Sequence, residues 1–318
     1  MYAHTRSLLG HKLQQLMRAC VDTPLLPGIV KILWILLCGF LLKLRLMRNF
    51  ETELVTEHGC RLAGSPGDST LNGVIFYRGV FEPVLSALIV ELVQPGDICV
   101  DAGANVGYFS LLLARQAGPG GKVIAIEAAP GNVARLERNV TLNDYDQRIE
   151  VLGAAASNQR GTLTFYLHPR NDMLCRLELP RRGERDYWLM GRHWDPVRVP
   201  ANTLSALVGS RAPKVSFLKM DVEGTEHRIV PDVLAHFTHP RLCVALEAKE
   251  PHIRATLEPF EKAGFHAYDL QNDYRWLFEK KTRQASPVSF AELYARKHMV
   301  DVLLCRQPLP TLAKPVRQ

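Results

Sequence analysis

The sequence contains no C-x-x-C pair, no G-x-G-x-x-G run, no visible internal repeat and no uncharged apolar stretch long enough for an ordinary membrane-spanning helix. The first absence removes the usual zinc and redox-dithiol signatures, and the second removes the standard dinucleotide turn. Seven cysteines (Cys20, Cys38, Cys60, Cys99, Cys175, Cys243, Cys305) are odd in number and widely spaced. Cys99 and Cys243 lie inside apolar runs, where a free thiol behaves as a small buried hydrophobe, and this points to a reducing compartment.

Charge is unevenly spread. The 318 residues carry 39 Lys plus Arg against 32 Asp plus Glu, a formal +7. Residues 1–50 hold seven of the basic residues and the single acid Asp22, so this arm carries +6 and the remainder is close to neutral. A basic stripe that grips nucleic acid is not required by that remainder, and no nucleic-acid partner is expected. With 47% hydrophobic and 22% charged residues, the chain reads as an enzyme-sized globular domain with an arm attached.

In the arm, residues 25–42 read LLPGIVKILWILLCGFLL, followed by the basic flank KLRLMR. Only Ile32 to Leu42 is wholly uncharged; as a helix it would span roughly 16 Å, about half of a hydrocarbon core. Three readings are open: a helix in the membrane interface touching it through residues 25–48, a short spanning anchor, or a helix packed on the body or on a second subunit. The basic flank favours the cytoplasmic side, so the expected location is cytoplasmic with membrane association on that face.

Residues 51–82 alternate β-like runs with the turn clusters GSPGDS and LNG, which suggests a small β ribbon. From Pro83 the pattern becomes helix, strand, helix, strand, the mark of an α/β domain. Four apolar runs end in a carboxylate: ICV into Asp101, KVIAI into Glu127, VSFLKM into Asp221 and LCVAL into Glu247. As parallel strands they would gather these acids along the edge where open sheets bind ligands.

The densest pattern is VDAGANVGYFSLLLAR, residues 100–115. Gly103 permits the tight turn, Gly107 a close helix start, and Asn105 stands where a dinucleotide site needs glycine. Asp101 and Glu127 suit a ligand with a cationic end and a ribose, as in S-adenosyl-L-methionine, better than a nicotinamide dinucleotide.

These residues carry a family resemblance. RGVFEP (78–83), VDAGANVGYFS, IEAAP with Glu127, Leu142–Asn143, AAASNQRGTLTFY and LKMDVEGTE (218–226) resemble the FkbM family of S-adenosylmethionine-dependent methyltransferases. The resemblance implies an α/β, Rossmann-like class I methyltransferase fold over residues 83–306, with a seven-stranded, mostly parallel sheet and helices on both faces. Residues 307–318 would form a tail. It further implies that Asp101, Gly103, Asn105, Gly107 and Glu127 hold the cofactor, with Asn143 and Ala155 or Ala156 near the adenine. Methylation would fall on a hydroxyl of a carbohydrate, lipid-linked glycan or secondary metabolite.

An alcohol acceptor must lose its proton, which calls for a base within hydrogen-bond reach. Asp221 is the first choice, with Glu247 and His252 on the acceptor side. Asp221, Glu223 and Glu247 could be read as hard oxygen ligands, but their spacing fixes no geometry and no metal is expected. Residues 168–198, rich in Arg and carrying Tyr187, Trp188 and Trp194, are placed as a lid over the acceptor. The alternative to an enzyme is a cofactor-binding or scaffolding protein on the same fold. Removal of residues 1–50 is expected to shift the protein from the membrane pellet to the supernatant on fractionation; an unchanged distribution would leave the third reading of the arm standing.

Overall fold

The computed structural model describes residues 52–64, 70–168, 175–179, 194–272, 284–297 and 299–309. The arm, most of the expected lid with Tyr187 and Trp188, and nearly all of the tail lie outside the described residues. Among the described residues no helix is long and apolar enough to cross a membrane.

The chain opens with an antiparallel hairpin, β1 (Thr52–Val55) and β2 (Arg61–Gly64), in register from Thr52↔Gly64 to Val55↔Arg61. The ribbon expected over residues 51–82 stops there, because α1 (Thr70–Arg78) occupies the Leu71-Asn72-Gly73 segment read as a turn. Leu71, Val74 and Ile75 are all buried. Their i, i+3, i+4 spacing presents one apolar stripe, and its burial outweighs the turn preference of Asn-Gly.

The α/β domain follows, with α2 (Pro83–Leu92), β3 (Ile98–Ala102), α3 (Tyr108–Ala117), β4 (Lys122–Glu127), α4 (Pro130–Leu142) and β5 (Ile149–Gly153) in strict alternation. Pro83 and Pro130 sit in the first turn of their helices, where the missing N–H has no helical partner to lose. A separate three-stranded sheet comes next, built from β6 (Ala155–Ala156), β7 (Gly161–Leu167) and β8 (Asp195–Asn202) in the order β6-β8-β7.

The main sheet resumes through α5 (Leu204–Val208), β9 (Val215–Met220), α6 (Glu226–His236), β10 (Cys243–Ala248), α7 (Ile253–Lys262), β11 (His266–Asp269), β12 (Ser286–Pro287), α8 (Phe290–Tyr294) and β13 (Val300–Cys305). Thr203 caps α5, and Ser205 bonds Asp232 through both its N–H (2.7 Å) and its hydroxyl (2.6 Å). Ser289 and Glu292 close a reciprocal cap on α8.

The strand order is β12-β11-β13-β10-β9-β3-β4-β5. β5, β4, β3, β9 and β10 run parallel, and β13 is antiparallel to both β10 and β11. The sheet has eight strands where the resemblance implies seven: the two-residue β12 pairs with β11 in the register Tyr268↔Pro287 and Asp269↔Ser286. So short a strand, containing a proline, has no period to read and fits only an edge.

Successive strand residues feed opposite cores. Cys99, Val123, Ala125 and Phe217 pack with α2 and α3, whereas Val100, Ile124, Ile126, Leu218 and Met220 pack with α6 and α7. Both faces are buried, which is why these strands read as continuous apolar runs. The five described cysteines are free thiols, and Cys99 and Cys243 are buried in the sheet.

Gly107 sets the start of α3 against α4. Its φ is +94°, and a Cβ there would lie 2.4 Å from Leu136 Cδ1. Gly107→Ala is expected to destabilise the fold by about 1–3 kcal/mol through backbone strain and overpacking. Urea denaturation of the variant measures it; an unchanged midpoint would remove the packing role.

Candidate active site

The parallel strands β3, β4 and β9 deliver Asp101, Glu127 and Asp221 to one edge of the sheet. Gly103 follows the end of β3 with φ +83°, and a Cβ there would fall 1.8 Å from the Asp221 carbonyl oxygen. The Asp221 N–H donates to Ala102 O at 2.9 Å, while Gly103 and Ala104 N–H both donate to Ile126 O. Three strand ends are thereby tied by backbone bonds alone.

Glu127 organises the turn that follows. Its Oε2 accepts from Asn105 N and its Oε1 from Ala129 N, each at 2.8 Å. Asn105 takes a left-handed φ of 51°, a conformation that Asn tolerates better than most residues with a side chain. Burial pushes the Glu127 carboxyl above its usual range against the donors that hold it.

Above this edge lies a cleft with an empty volume of about 840 Å³. Gly103, Asn105, Glu127 and Asp221 line one side. Ile126, Ala128, Ala154, Ala155 and Ala156 supply small apolar surface, and Leu71, Phe81, Phe109 and Phe165 supply large apolar surface. Tyr108 and Phe109 serve both as helix core and as cleft wall, since they are buried yet face this space.

Lys219 stands at the charged end of the cleft. Its Nζ lies 3.2 Å from Asp221 and 4.0 Å from Asp101, with the Phe109 ring centroid at 5.2 Å. Burial works against its charge, but Asp221, Asp101 and Glu82 overcome this and hold the ammonium above its usual range. For Asp221, burial pushes upward and the Lys219 and Lys249 charges overcome it, so its carboxyl is held below its usual value. Lys249 in turn pairs with Glu223 at 2.8 Å and with Glu247.

The residues chosen from sequence fall in three places: lining the cleft, just beneath it, and away from it. Gly103, Asn105, Glu127, Ala155 and Asp221 line the cleft. Asp101 lies just beneath, its Oδ2 accepting from Ser110 at 2.6 Å. Asn143 is not in the cleft: its side chain brackets the Arg61 backbone, accepting from Arg61 N at 2.8 Å and donating to Arg61 O at 2.7 Å, so it fastens β2 to the end of α4.

Gly107, expected to hold the cofactor, does not line the cleft but packs the start of α3 against Leu136, and Glu247 and His252 do not line it either. Glu247 is held by Lys249 and faces Asp301 across the β10–β13 register. His252 sits at the N-cap of α7, its ring stacked on His227 with centroids 3.9 Å apart. Among the described residues no group of three His, Cys, Asp or Glu is arranged to hold a metal ion.

Three charged residues escape a reading of strand ends. Asp301 lies near the start of β13, and because that strand is antiparallel its first residues share an edge with the last residues of β10. Burial and then Asp221 push its carboxyl up to about 7. Glu82 has φ 42° and is pushed up to about 8 by burial and then by Asp301, with Lys219 opposing. The third is Arg176 in the lid segment: buried, 3.4 Å from Glu223 and 5.6 Å from the Trp194 ring centroid, it docks Cys175 and Leu177 onto the cleft wall.

Residues 101–274, more than half of the chain, match the model of the Methyltransferase FkbM domain. Among relatives, the methyltransferase sdnD of Sordaria araneosa is 31% identical over 188 residues, covering 52% of this chain and 72% of that protein. The 31-O-demethyl-FK506 methyltransferase FkbM of Streptomyces tacrolimicus is 31% identical over 166 residues, covering 45% of this chain and 62% of that protein. A SAM-dependent O-methyltransferase structure from Thermotoga maritima aligns over 81% of this chain and 79% of its own, at 16% identity and a TM-score of 0.40. The domain match and the sdnD match place this chain in the FkbM family of S-adenosylmethionine-dependent methyltransferases.

Proposed function

We propose that the cleft transfers the methyl group of S-adenosylmethionine to a hydroxyl oxygen of a small-molecule acceptor, a carbohydrate, lipid-linked glycan or secondary metabolite. The observation that carries this reading is the gathering of Asp101, Glu127 and Asp221 at three adjacent strand ends around one cleft. The choice of oxygen draws support from the name of the Streptomyces relative, a methyltransferase of a 31-O-demethyl compound. The basic, apolar arm would bring the cleft to a membrane surface, which favours a lipid-linked acceptor.

The residues fit the cofactor. Asp101 Oδ1 is a buried carboxylate oxygen with no hydrogen bond among the described residues, and Lys219 lies 4.0 Å from it. Glu127 is held by two backbone N–H groups and by the Asn132 side chain, which leaves acceptor capacity for a ribose hydroxyl. Ala154, Ala155 and Ala156 give a flat heterocycle a wall without protruding side chains.

When bound, S-adenosylmethionine supplies a methyl group on a sulfonium centre. The chain then has to align the acceptor, keep water away and receive one proton. Phe81, Phe109 and Phe165 exclude water from the apolar side. Asp221, the base chosen from sequence, is a poor proton acceptor because two lysines keep it acidic. Methylation makes the acceptor oxygen far more acidic than a carboxylic acid, so in this reading Asp221, which lines the cleft as Glu82 does not, still takes the proton and orients the reacting groups.

Calorimetric titration of the full chain with S-adenosylhomocysteine should show binding, with NAD as the silent control. Glu127→Ala should weaken that binding by about 10-fold or more, the loss of charge-assisted bonds to the ribose. Equal affinity in the variant would remove Glu127 from the site.

Glu82 also makes stability depend on pH. Between its ordinary value of 4.5 and about 8 in the fold, it holds a proton that the unfolded chain has released. The folded state binds more protons in this window, so stability falls as pH rises through it. Glu82→Gln should match the parent near pH 5 and exceed it at pH 8 in urea denaturation. Parallel pH profiles for parent and variant would show that Glu82 is ionised throughout.

A further inference from the structure

A second cavity, with an empty volume of about 540 Å³, adjoins the cleft at Leu177, which lines both spaces. It lies between the start of α6 and the β6–β7 segment of the small sheet. Nothing in the cofactor reading uses it.

Thr225 is the telling residue. It stands at the N-cap of α6 and is 3% exposed, yet its side chain does not cap the helix. Its Oγ1 has no hydrogen-bond partner among the described residues and belongs to a residue that lines the cavity. A buried hydroxyl left without a partner carries its full desolvation penalty, so a ligand that bonds to it recovers a cost the empty fold bears.

The surrounding groups identify the ligand's chemistry. An anion is disfavoured although the cavity has a helix start and Arg228. Glu178 pairs with Arg228 at 2.6 Å, and the Glu226 carboxylate already accepts the N–H groups of Val222 and Gly224. What remains is neutral overall and rich in groups that both donate and accept: the amides of Asn158 and Gln159 and the hydroxyls of Thr164 and Thr225. The Arg228–Glu178 pair, with side chains 42% and 50% exposed, offers a donor and an acceptor side by side, as two vicinal hydroxyls require. Leu163 and Ile229 provide apolar surface for the C–H face of a ring.

We infer that this cavity is a subsite for an uncharged, hydroxyl-rich ring of sugar type, belonging to the acceptor whose reacting hydroxyl enters the main cleft past Leu177. The inference rests on the methyl-transfer reading for the link between the two spaces, but the subsite itself does not. Leu177 is the partition, and Arg176 beside it, pinned to Glu223, fixes where that partition stands.

The test uses the full chain saturated with S-adenosylhomocysteine and probes it with methyl α-glucoside, methyl α-mannoside and methyl β-galactoside by saturation-transfer NMR. Inorganic phosphate is added in a separate arm. At least one glycoside should bind; Thr225→Val should weaken it about 5-fold, the worth of one hydrogen bond, and Thr225→Ser should restore it. S-adenosylhomocysteine affinity should be the same in all three proteins. The subsite is overturned if no glycoside binds, if Thr225→Val binds as well as the parent, or if phosphate displaces the glycoside. Failure of S-adenosylhomocysteine to bind would instead sink the methyl-transfer reading, and the glycoside arm would still be read on its own.

Discussion

The contact on which the rest depends is the passage of Gly103 beneath the carbonyl of Asp221. With only 1.8 Å between that oxygen and the place a Cβ would take, no other residue type can occupy position 103 without moving β3 from β9. This junction is also where the chain direction of the sheet's winding reverses, since β3 has β4 on one side and β9 on the other. A crevice opens at such a point because the helices leaving the two strands go to opposite faces. The hydrogen bonds from Asp221 to Ala102 and from Gly103 and Ala104 to Ile126 lock three strand ends at one height. The acids they carry are placed by backbone geometry, before any side-chain preference acts.

That dependence explains which parts of the site were legible in the sequence. Asp101, Glu127 and Asp221 could be found because a buried parallel strand is a run of apolar residues, and the first polar residue after it must lie at the ligand-binding edge. Asp301 obeys the same rule in reverse. It comes at the beginning of its strand, and only knowledge that β13 is antiparallel brings it to that edge. Glu82 lies within a recognised segment, but its importance rests on a left-handed φ and on neighbours from β9 and β13, none of which is local in sequence. Asn143, placed near the adenine by the resemblance, stands just past α4 with its amide spent on Arg61, 82 residues earlier, a pairing that no spacing encodes. The α1 helix is hidden for a similar reason: its apolar stripe is only a few residues long and is interrupted by Asn-Gly, and the tertiary core decides against the turn.

The lid segment links the two cavities to the charged network. Arg176 exchanges both backbone hydrogen bonds with Tyr166 of β7, so it is held from behind by the small sheet while its guanidinium reaches Glu223. Glu223 also binds Lys249, which binds Glu247. Charges from the lid, the β9–α6 loop and β10 therefore form one chain, and its members constrain one another. Breaking one partner of a buried pair leaves a stranded charge, which is more damaging than the pair is stabilising. The arrangement specifies geometry at the cleft more than it contributes to the stability of the fold.

The same network decides between cofactor classes on electrostatic grounds. Around the cleft's charged end stand Glu82, Asp101, Asp221, Glu223, Glu247 and Asp301, against Lys219, Lys249 and Arg176. Burial raises Glu82, Glu247 and Asp301 above their usual range, and repulsion from neighbouring carboxylates adds to it, both favouring the protonated form. A pyrophosphate would set its charge beside Asp221, the carboxylate that Lys219 and Lys249 hold ionised, and two like unit charges 4 Å apart at an effective dielectric constant near 20 repel by about 4 kcal/mol. A sulfonium and an ammonium meet the opposite. They relieve the repulsion among the carboxylates, and by favouring the ionised acids they lower the affinity of Glu82 for its proton. A cationic ligand at this end would therefore favour the ionised forms of Asp101 and Asp221, the two carboxylates beside Lys219.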